Sequence, residues 1–222
     1  MQTFTTPAPI ATVLTVPAAR IQVIAADRAD TTVEIGPANA SKSRDVKAAE
    51  ETTAVYADGV LRIAAPEAKN QAFGSSGSIE VTVRLPAGSG VEVTAAVAEL
   101  RGVGPLGDVV VESAQGPVQL SEAASARISL QDGAITIGRL ADGGELSTQQ
   151  GDLTVGEAVG GKLTLSTQKG DIGVAAAAGV SASLDAGTGY GRVGNSLKNA
   201  DATPGLTIEA TTSYGDIVAR SL

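Results

Sequence analysis

The chain lacks the residues on which most enzyme sites depend. Its 222 residues contain no histidine, no cysteine and no tryptophan, and aromatic residues make up only 2%. Without histidine there is no imidazole base, no Ser-His-Asp triad and no histidine-ligated metal. Without cysteine there is no thiolate nucleophile, disulfide or zinc knuckle. We therefore predict a protein that is not an enzyme and has no cofactor. The length allows one generous domain or two small ones.

Positive charge and long apolar runs are also scarce. The formal net charge is −8 and the pI is about 4.6, so the chain would repel nucleic acid and anionic membranes. No apolar run approaches the roughly 18–20 residues that span a bilayer. The first segment, "MQTFTTPAPIATVLTVP", lacks the basic and apolar regions of a secretory signal. These features predict a cytoplasmic protein, or a cell-surface protein if a leader has been trimmed away.

What the chain has instead is glycine, 27 residues of it, much of it in a repeat. We call each repeat unit a rung and number the rungs in chain order. The rungs are "VEVTAAVAELRG" (91–102), "VVVESAQGPVQL" (109–120), "ARISLQDGAITI" (126–137), "GELSTQQGDLTV" (144–155), "LTLSTQKGDIGV" (163–174), "LDAGTGYGRVGN" (184–195) and "IEATTSYGDIVA" (208–219). Their aligned anchor residues are Ala98, Gly116, Gly133, Gly151, Gly170, Gly191 and Gly215. Successive anchors are 18, 17, 18, 19, 21 and 24 residues apart.

The repeat predicts an all-β fold, a parallel β-solenoid or β-helix of about seven short rungs. Alternate apolar residues turn one face of each short strand inward, and the anchor glycine permits a tight corner. One rung cannot bury its apolar face alone, whereas stacked rungs can. An antiparallel sandwich is the alternative, since it also has short strands and regular turns. Seven repeats of the same anchor chemistry favour the solenoid.

The first ninety residues repeat less clearly. We predict that 1–90 form strands continuous with the solenoid that cap its first edge, and that 91–222 form the repeats, in a single domain overall. "TTAVYADGVLRIAAP" predicts a hairpin around Asp58 and Gly59, and "RDVKAAEE" at 44–51 predicts one or two helical turns. The polar stretch 66–78 is rich in glycine and serine and predicts a mobile loop. With 195–205, it is where a groove wall could form.

Several of these segments together resemble a known family. "GYGRVGNSL", "TIEATTSYGDIVARSL", "YADGVLRIAAP", "SIEVTVRLPAGS" and the pair "TQQGDLTV" and "TQKGDIGV" are similar to the bacterial β-strand-repeat family of "putative adhesins", a domain of unknown function. The likeness is greatest to leaderless actinobacterial members and covers nearly the whole chain. It implies a parallel β-helix-like fold and supplies no catalytic residues.

The stretch "GYGRVG" at 189–194 satisfies the G-x-G-x-x-G pattern of a dinucleotide-binding turn. That interpretation requires a strand before the pattern, a helix after it and an acidic residue about 20 positions on. The following "NSLKNADATPG" contains a proline and has no helical periodicity. The segment also aligns with "SYGDIV" at 213–218 as a rung. We therefore predict that Gly191 is a turn glycine and Val193 a core residue.

Three columns of the repeat are candidates for chemistry. The residues after the anchor include Asp152, Asp171, Arg192 and Asp216. The three aspartate carboxylates could hold Ca²⁺, or these residues could simply be turn aspartates, helped by Arg192 between Asp171 and Asp216 and by Lys169. Three positions before the anchor, hydroxyl residues recur with Leu130 among them, which predicts surface ladders rather than an ice-binding array. Tyr190 and Tyr214 share a column, so they should stack. They would shield the last coil or offer a small sugar-binding face.

These observations predict a non-enzymatic structural or protein-interaction module, an adhesin-like β-helix rod that could associate with itself. Its partners would be proteins or other copies, meeting end to end or at an edge, with neither nucleic acid nor membrane insertion. The candidate surface is Tyr190, Arg192, Tyr214 and Asp216, and the last rung, "SYGDIVARSL", is expected to expose an unpaired edge. The alternative is a carbohydrate-binding or carbohydrate-active β-helix protein.

Overall fold

The computed structural model describes residues 1–65, 77–199 and 204–222 and confirms the all-β class. One open sheet holds every strand of the described residues. The strands are β1 (Gln2–Thr5), β2 (Ala11–Ala26), β3 (Asp30–Pro37), β4 (Thr53–Ala57), β5 (Val60–Ala64), β6 (Ile79–Pro86), β7 (Gly90–Gln115), β8 (Val118–Asp132), β9 (Ile135–Leu140), β10 (Gly144–Gln150), β11 (Leu153–Ala158), β12 (Gly161–Lys169), β13 (Ile172–Ala176), β14 (Ala182–Tyr190), β15 (Val193–Ser196), β16 (Leu206–Tyr214) and β17 (Ile217–Ser221). The helix α1 spans Ser43–Glu51, where one or two turns were predicted.

The first five rungs pair in parallel, in the register of the sequence alignment. Ile128 of β8 lies opposite Leu146 of β10, which lies opposite Leu165 of β12. On the other side of the corner, Ile135, Leu153 and Ile172 stand in register in the same way. All six side chains are buried. Each aliphatic column of the repeat is therefore a continuous apolar column of the core, and its burial drives the stacking.

The last two rungs exchange places. β16 pairs with β12 on one side and with β14 on the other, so that Leu165, Ala210 and Ala186 lie in one line. β17 likewise lies between β13 and β15. The prediction that the last rung exposes an unpaired edge is therefore wrong, because the seventh rung has a ladder on both sides. The sixth rung, which contains "GYGRVG", is the outermost one.

A similar exchange occurs at the other end of the sheet. β2 pairs in parallel with β7 along 11–24 and, on its opposite side, with β5 and β6. The outer strands continue antiparallel, with β3 beside β6, β1 beside β3 and β4 beside β5. The predicted hairpin is confirmed, since β4 and β5 meet at Asp58 and Gly59, whose φ angles are 51° and 78°. The predicted loop at 66–78 lies, apart from 77 and 78, outside the described residues.

Candidate interaction surface

The corner between the two strands of each rung is built on glycine. Gly151 has a φ of 142°, which favours residues without a Cβ. A Cβ placed there would collide with the carbonyl group of Gly133 in the rung below. The same positive φ and the same close approach recur along the column, at Gly116, Gly133, Gly151, Gly170, Gly215 and Gly191 in spatial order. The predicted turn glycines therefore form a ladder in which neighbouring corners touch backbone to backbone.

The hydroxyl column three positions before the anchor lies inside the corner, not on the surface. Thr148, Thr167 and Thr212 are buried. Thr167 Oγ1 donates to the Gly151 carbonyl at 3.1 Å, and Thr212 Oγ1 donates to the Gly170 carbonyl at 3.1 Å. Thr167 and Thr212 thus satisfy the anchor carbonyl of the neighbouring rung, whereas Thr148 Oγ1 donates to the Gln150 carbonyl of its own rung at 3.2 Å. The expectation of a surface ladder was wrong, because an anchor glycine leaves its carbonyl available and a short hydroxyl side chain can reach it.

The aspartates after the anchors bind backbone groups of the next rung. Asp152 Oδ1 accepts from the Asp171 N–H, Asp171 Oδ1 from the Asp216 N–H, and Asp216 Oδ1 from the Arg192 N–H, each at 2.8 Å. Arg192 was expected between Asp171 and Asp216. The exchange of rungs instead places Asp216 between Asp171 and Arg192, so that Arg192 lies at the end of the row. The column therefore acts as a chain of turn aspartates, and in the described part of the chain no three acidic side chains group in a way that could hold a metal ion.

The two tyrosines form the predicted stacked pair. Their ring centroids are 5.1 Å apart and their planes differ by 6°. Tyr190 is 72% exposed and Tyr214 58%. The pair therefore lies on the outer surface and does not shield the core. Together with Arg192 and Asp216 it lies at one corner, beside the outermost rung, so the four candidate residues are neighbours.

The dinucleotide interpretation of "GYGRVG" fails on geometry. β14 ends at Tyr190, Gly191 makes the corner, and Val193–Ser196 follow as the strand β15. The helix N-terminus that would hold a pyrophosphate is replaced by a strand paired with β17. Gly191 lies between the end of β14 and the start of β15. Val193 was predicted to lie in the core, but it is 45% exposed, whereas Ile217, its neighbour in the next rung, is 1% exposed.

That difference identifies a feature that the sequence did not reveal, the open edge of the sixth rung. Within the described residues β14 has one ladder partner, β16, and β15 has one, β17. Leu184 and Ala186 are only partly buried, although Ile208 and Ala210 beside them are fully buried. The edge thus presents unpaired backbone groups together with half-covered core side chains. The available signal was the longer spacing of the last two anchors.

A second feature missed from the sequence is a polar groove along the same corner column. It has a volume of about 540 Å³ and runs over five neighbouring rungs, from Gln115 to Tyr214. It is lined by the residues one and two positions before each anchor, including Gln131, Gln150 and Lys169. These positions are scattered along the sequence and become adjacent only through the stacking register. We call this surface the glutamine groove.

Comparison with known proteins agrees with this geometry. The family model described as Toastrack DUF4097 matches residues 12–221, which is nearly the whole chain. The chain belongs to the Toastrack family. The match confirms the resemblance to a bacterial adhesin-like family of unknown function. No curated protein matches the sequence. No helix among the described residues of this Toastrack chain is long and apolar enough to cross a membrane.

Solved structures are similar to the Toastrack chain over its full length. A "putative adhesin" from Bacteroides fragilis aligns with a TM-score of 0.50 at 12% identity, covering 98% of this chain and 95% of that one. A "putative cell adhesion protein" from Clostridium sporogenes gives 0.42 at 13%, covering 100% and 98%. A "putative lipid binding protein" from Parabacteroides distasonis gives 0.40 at 13%, covering 98% and 95%. The Bacteroides structure supports a shared fold.

Proposed function

We propose that this protein is a non-enzymatic interaction module, a rigid β-solenoid that associates with a second copy through the open edge of its sixth rung. The observation that carries the proposal is that, in the part of the chain that the structure describes, β14 and β15 have no ladder partner on their outer side. Unpaired strand edges are templates for further pairing. The solenoid form, with about seven rungs and a β-strand cap from the first ninety residues, is part of the proposal, and the parallel registers of the repeats support it.

The apolar content of the edge gives a reason for pairing. Val193, Leu184 and Ala186 occupy core columns, yet among the described residues the sixth rung has a neighbouring rung on one side only. A second copy laid against this edge would remove their exposed surface from water, at roughly 25 cal/mol for each Å² of apolar area buried. At the opposite end of the sheet the outer strands β1 and β4 also have one ladder partner each within the described residues, but they are only four and five residues long, whereas β14 has nine.

A second copy is favoured over an unrelated partner by charge and symmetry. The segment 182–198 contains one acidic and two basic residues, Asp185, Arg192 and Lys198, although the whole chain carries −8. Two copies meeting at this edge therefore avoid the repulsion that their other surfaces would produce. A two-fold axis would place β14 antiparallel to its own copy, and such two-fold dimers are the commonest oligomers.

The experiment is light scattering coupled to size exclusion, over a wide range of protein concentration. The test variant is Gly187→Lys in β14, and the matched control is Gly173→Lys in the inner strand β13. Both glycines have open space where a Cβ would be placed, so both variants should fold. An edge lysine opposes strand addition.

We expect a concentration-dependent dimer for the wild type and for Gly173→Lys, and a monomer for Gly187→Lys. A wild type that stays monomeric at the highest concentration would refute self-association. A dimer that persists in Gly187→Lys would place the interface elsewhere and overturn the role of this edge.

A further inference from the structure

The glutamine groove has a composition unlike that of the other outer surfaces. Five of the nine glutamines in the sequence line it, namely Gln115, Gln131, Gln149, Gln150 and Gln168. Its two charged residues, Asp132 and Lys169, are of opposite sign, and Tyr214 stands at one end. The groove is therefore polar and close to neutral, on a chain that is otherwise acidic.

The amide side chains of the groove are not used by the fold. In the described part of the chain, the five glutamine side chains have no hydrogen-bond partner. Gln115 and Gln150 accept hydrogen bonds from the corner hydroxyls of Ser113 and Thr148, but through their backbone carbonyls. Elsewhere the outer faces pair their polar side chains across rungs, as Arg139 does with Glu122 and Glu157 at 3.6 and 3.2 Å. The groove thus holds free donors and acceptors where other faces hold satisfied ion pairs.

This chemistry fits a ligand that is polar, uncharged and rich in hydroxyl groups. A carboxamide offers two N–H donors and one acceptor oxygen, which complement hydroxyls that both donate and accept. A tyrosine ring supplies an apolar face beside a polar tip. The lining contains no aliphatic side chain, so the groove lacks the apolar anchor pockets typical of peptide interfaces. An anionic ligand would meet the acidic field of the chain.

We propose that the glutamine groove binds a neutral polysaccharide. Amides recur two positions before the anchor on three successive rungs, at Gln131, Gln149 and Gln168, with rungs about 4.8 Å apart, so that successive sugar units would meet similar groups there. The backbone beneath them is held by the glycine ladder, so the ordering cost of binding falls mainly on the glutamine side chains. The face of the Tyr214 ring that Tyr190 does not cover would stack against one sugar at the end of the groove.

The experiment is an array of neutral oligosaccharides, followed by affinity electrophoresis in native gels containing dissolved neutral polysaccharides such as hydroxyethylcellulose, xyloglucan and dextran. Alginate gels serve as the anionic comparison. The test variants are the doubles Gln149→Ala/Gln150→Ala and Gln149→Glu/Gln150→Glu, together with Tyr214→Ala. The matched control is Gln119→Ala, an exposed glutamine of β8 outside the groove.

We expect at least one neutral polysaccharide to retard the wild type. Each test variant should raise the dissociation constant for that polysaccharide by about tenfold or more. Gln119→Ala should bind like the wild type. Circular dichroism checks that the variants are folded, and substitutions at such exposed positions rarely disturb stability. The monomeric Gly187→Lys variant should keep its affinity, which separates this test from the proposed self-association.

Three results would overturn the proposal. The first is no binding to any neutral glycan, on the array or in the gels. The second is binding restricted to alginate or to peptides, which would assign the groove to another class of ligand. The third is glycan binding that Gln119→Ala weakens as much as the groove variants do, since the site would then lie elsewhere.

Discussion

Gly151→Ala tests whether the glycine ladder holds the rungs together. Gly151 lies near the middle of the column, with Gly133 on one side and Gly170 on the other. Its φ of 142° lies where an alanine is strained. The added methyl group would also collide with the carbonyl group of Gly133. Neither problem can be relieved by a change of rotamer, because alanine has none and the colliding atoms are backbone.

The expected loss of stability has two parts. Holding a non-glycine residue at such a φ costs about 1–3 kcal/mol. Moving the corner away from its neighbour weakens two backbone hydrogen bonds, from the Gly133 N–H to the Gln150 carbonyl and from the Gly151 N–H to the Lys169 carbonyl, both at 2.9 Å. Each is worth about 1 kcal/mol. Together these contributions predict a free energy of unfolding lower by about 3–5 kcal/mol.

Urea denaturation followed by circular dichroism measures the change, and calorimetry should show a melting temperature lower by about 6–20 °C for a chain of this length. The control is Gly173→Ala in β13, where a Cβ meets no atom within 4 Å and φ is not positive. We expect that control to stay within about 0.5 kcal/mol of the wild type. A Gly151→Ala protein as stable as the control would refute the ladder.

Two further substitutions test the remaining corner contacts. Thr167→Val keeps the shape of the side chain but leaves the Gly151 carbonyl without its hydroxyl donor. It should lower the free energy of unfolding, measured in urea, by about 1–2 kcal/mol. The control Thr164→Val, on the outer face, should change that free energy little. Asp171→Ala removes the acceptor of the Asp216 N–H and should cost about 1 kcal/mol. Asp171→Asn retains an acceptor oxygen and should recover most of that loss. Equal losses for alanine and asparagine would show that the hydrogen bond is unimportant.

The parallel register of the repeats could be predicted because each column has one chemical requirement. An anchor glycine, an aliphatic residue two positions later and a hydroxyl three positions earlier can be satisfied together only if equivalent residues stack. The register of Leu146 against Leu165 follows from that requirement. So does the stacking of Tyr190 on Tyr214, since the two residues share a column.

The order of the last two rungs could not be predicted from the same columns. A rung carries the same pattern whichever rung lies beside it, so the alternation of apolar residues fits both orders equally. Only the spacing of the anchors bears on the order. The intervals of 21 and 24 residues before Gly191 and Gly215 supply the extra residues that the exchange needs. The chain must first skip the position beside the fifth rung to form the sixth rung, and then return to fill that position with the seventh. Inserted turn residues explain the same numbers, and the sequence alone does not separate the two.

The exchange also ties the edge rung to inner rungs through the chain on both sides of it. A terminal strand that ended the chain could fray as a free tail, because only its own pairing would hold it. The sixth rung instead enters from β13 and leaves toward β16, both of which belong to inner rungs. Its two ends are thus fixed, and the conformational entropy gained by detaching it is that of a closed loop rather than of a free chain. An edge restrained in this way is preorganised for a second strand, so association would cost less ordering than it would for a frayed terminus.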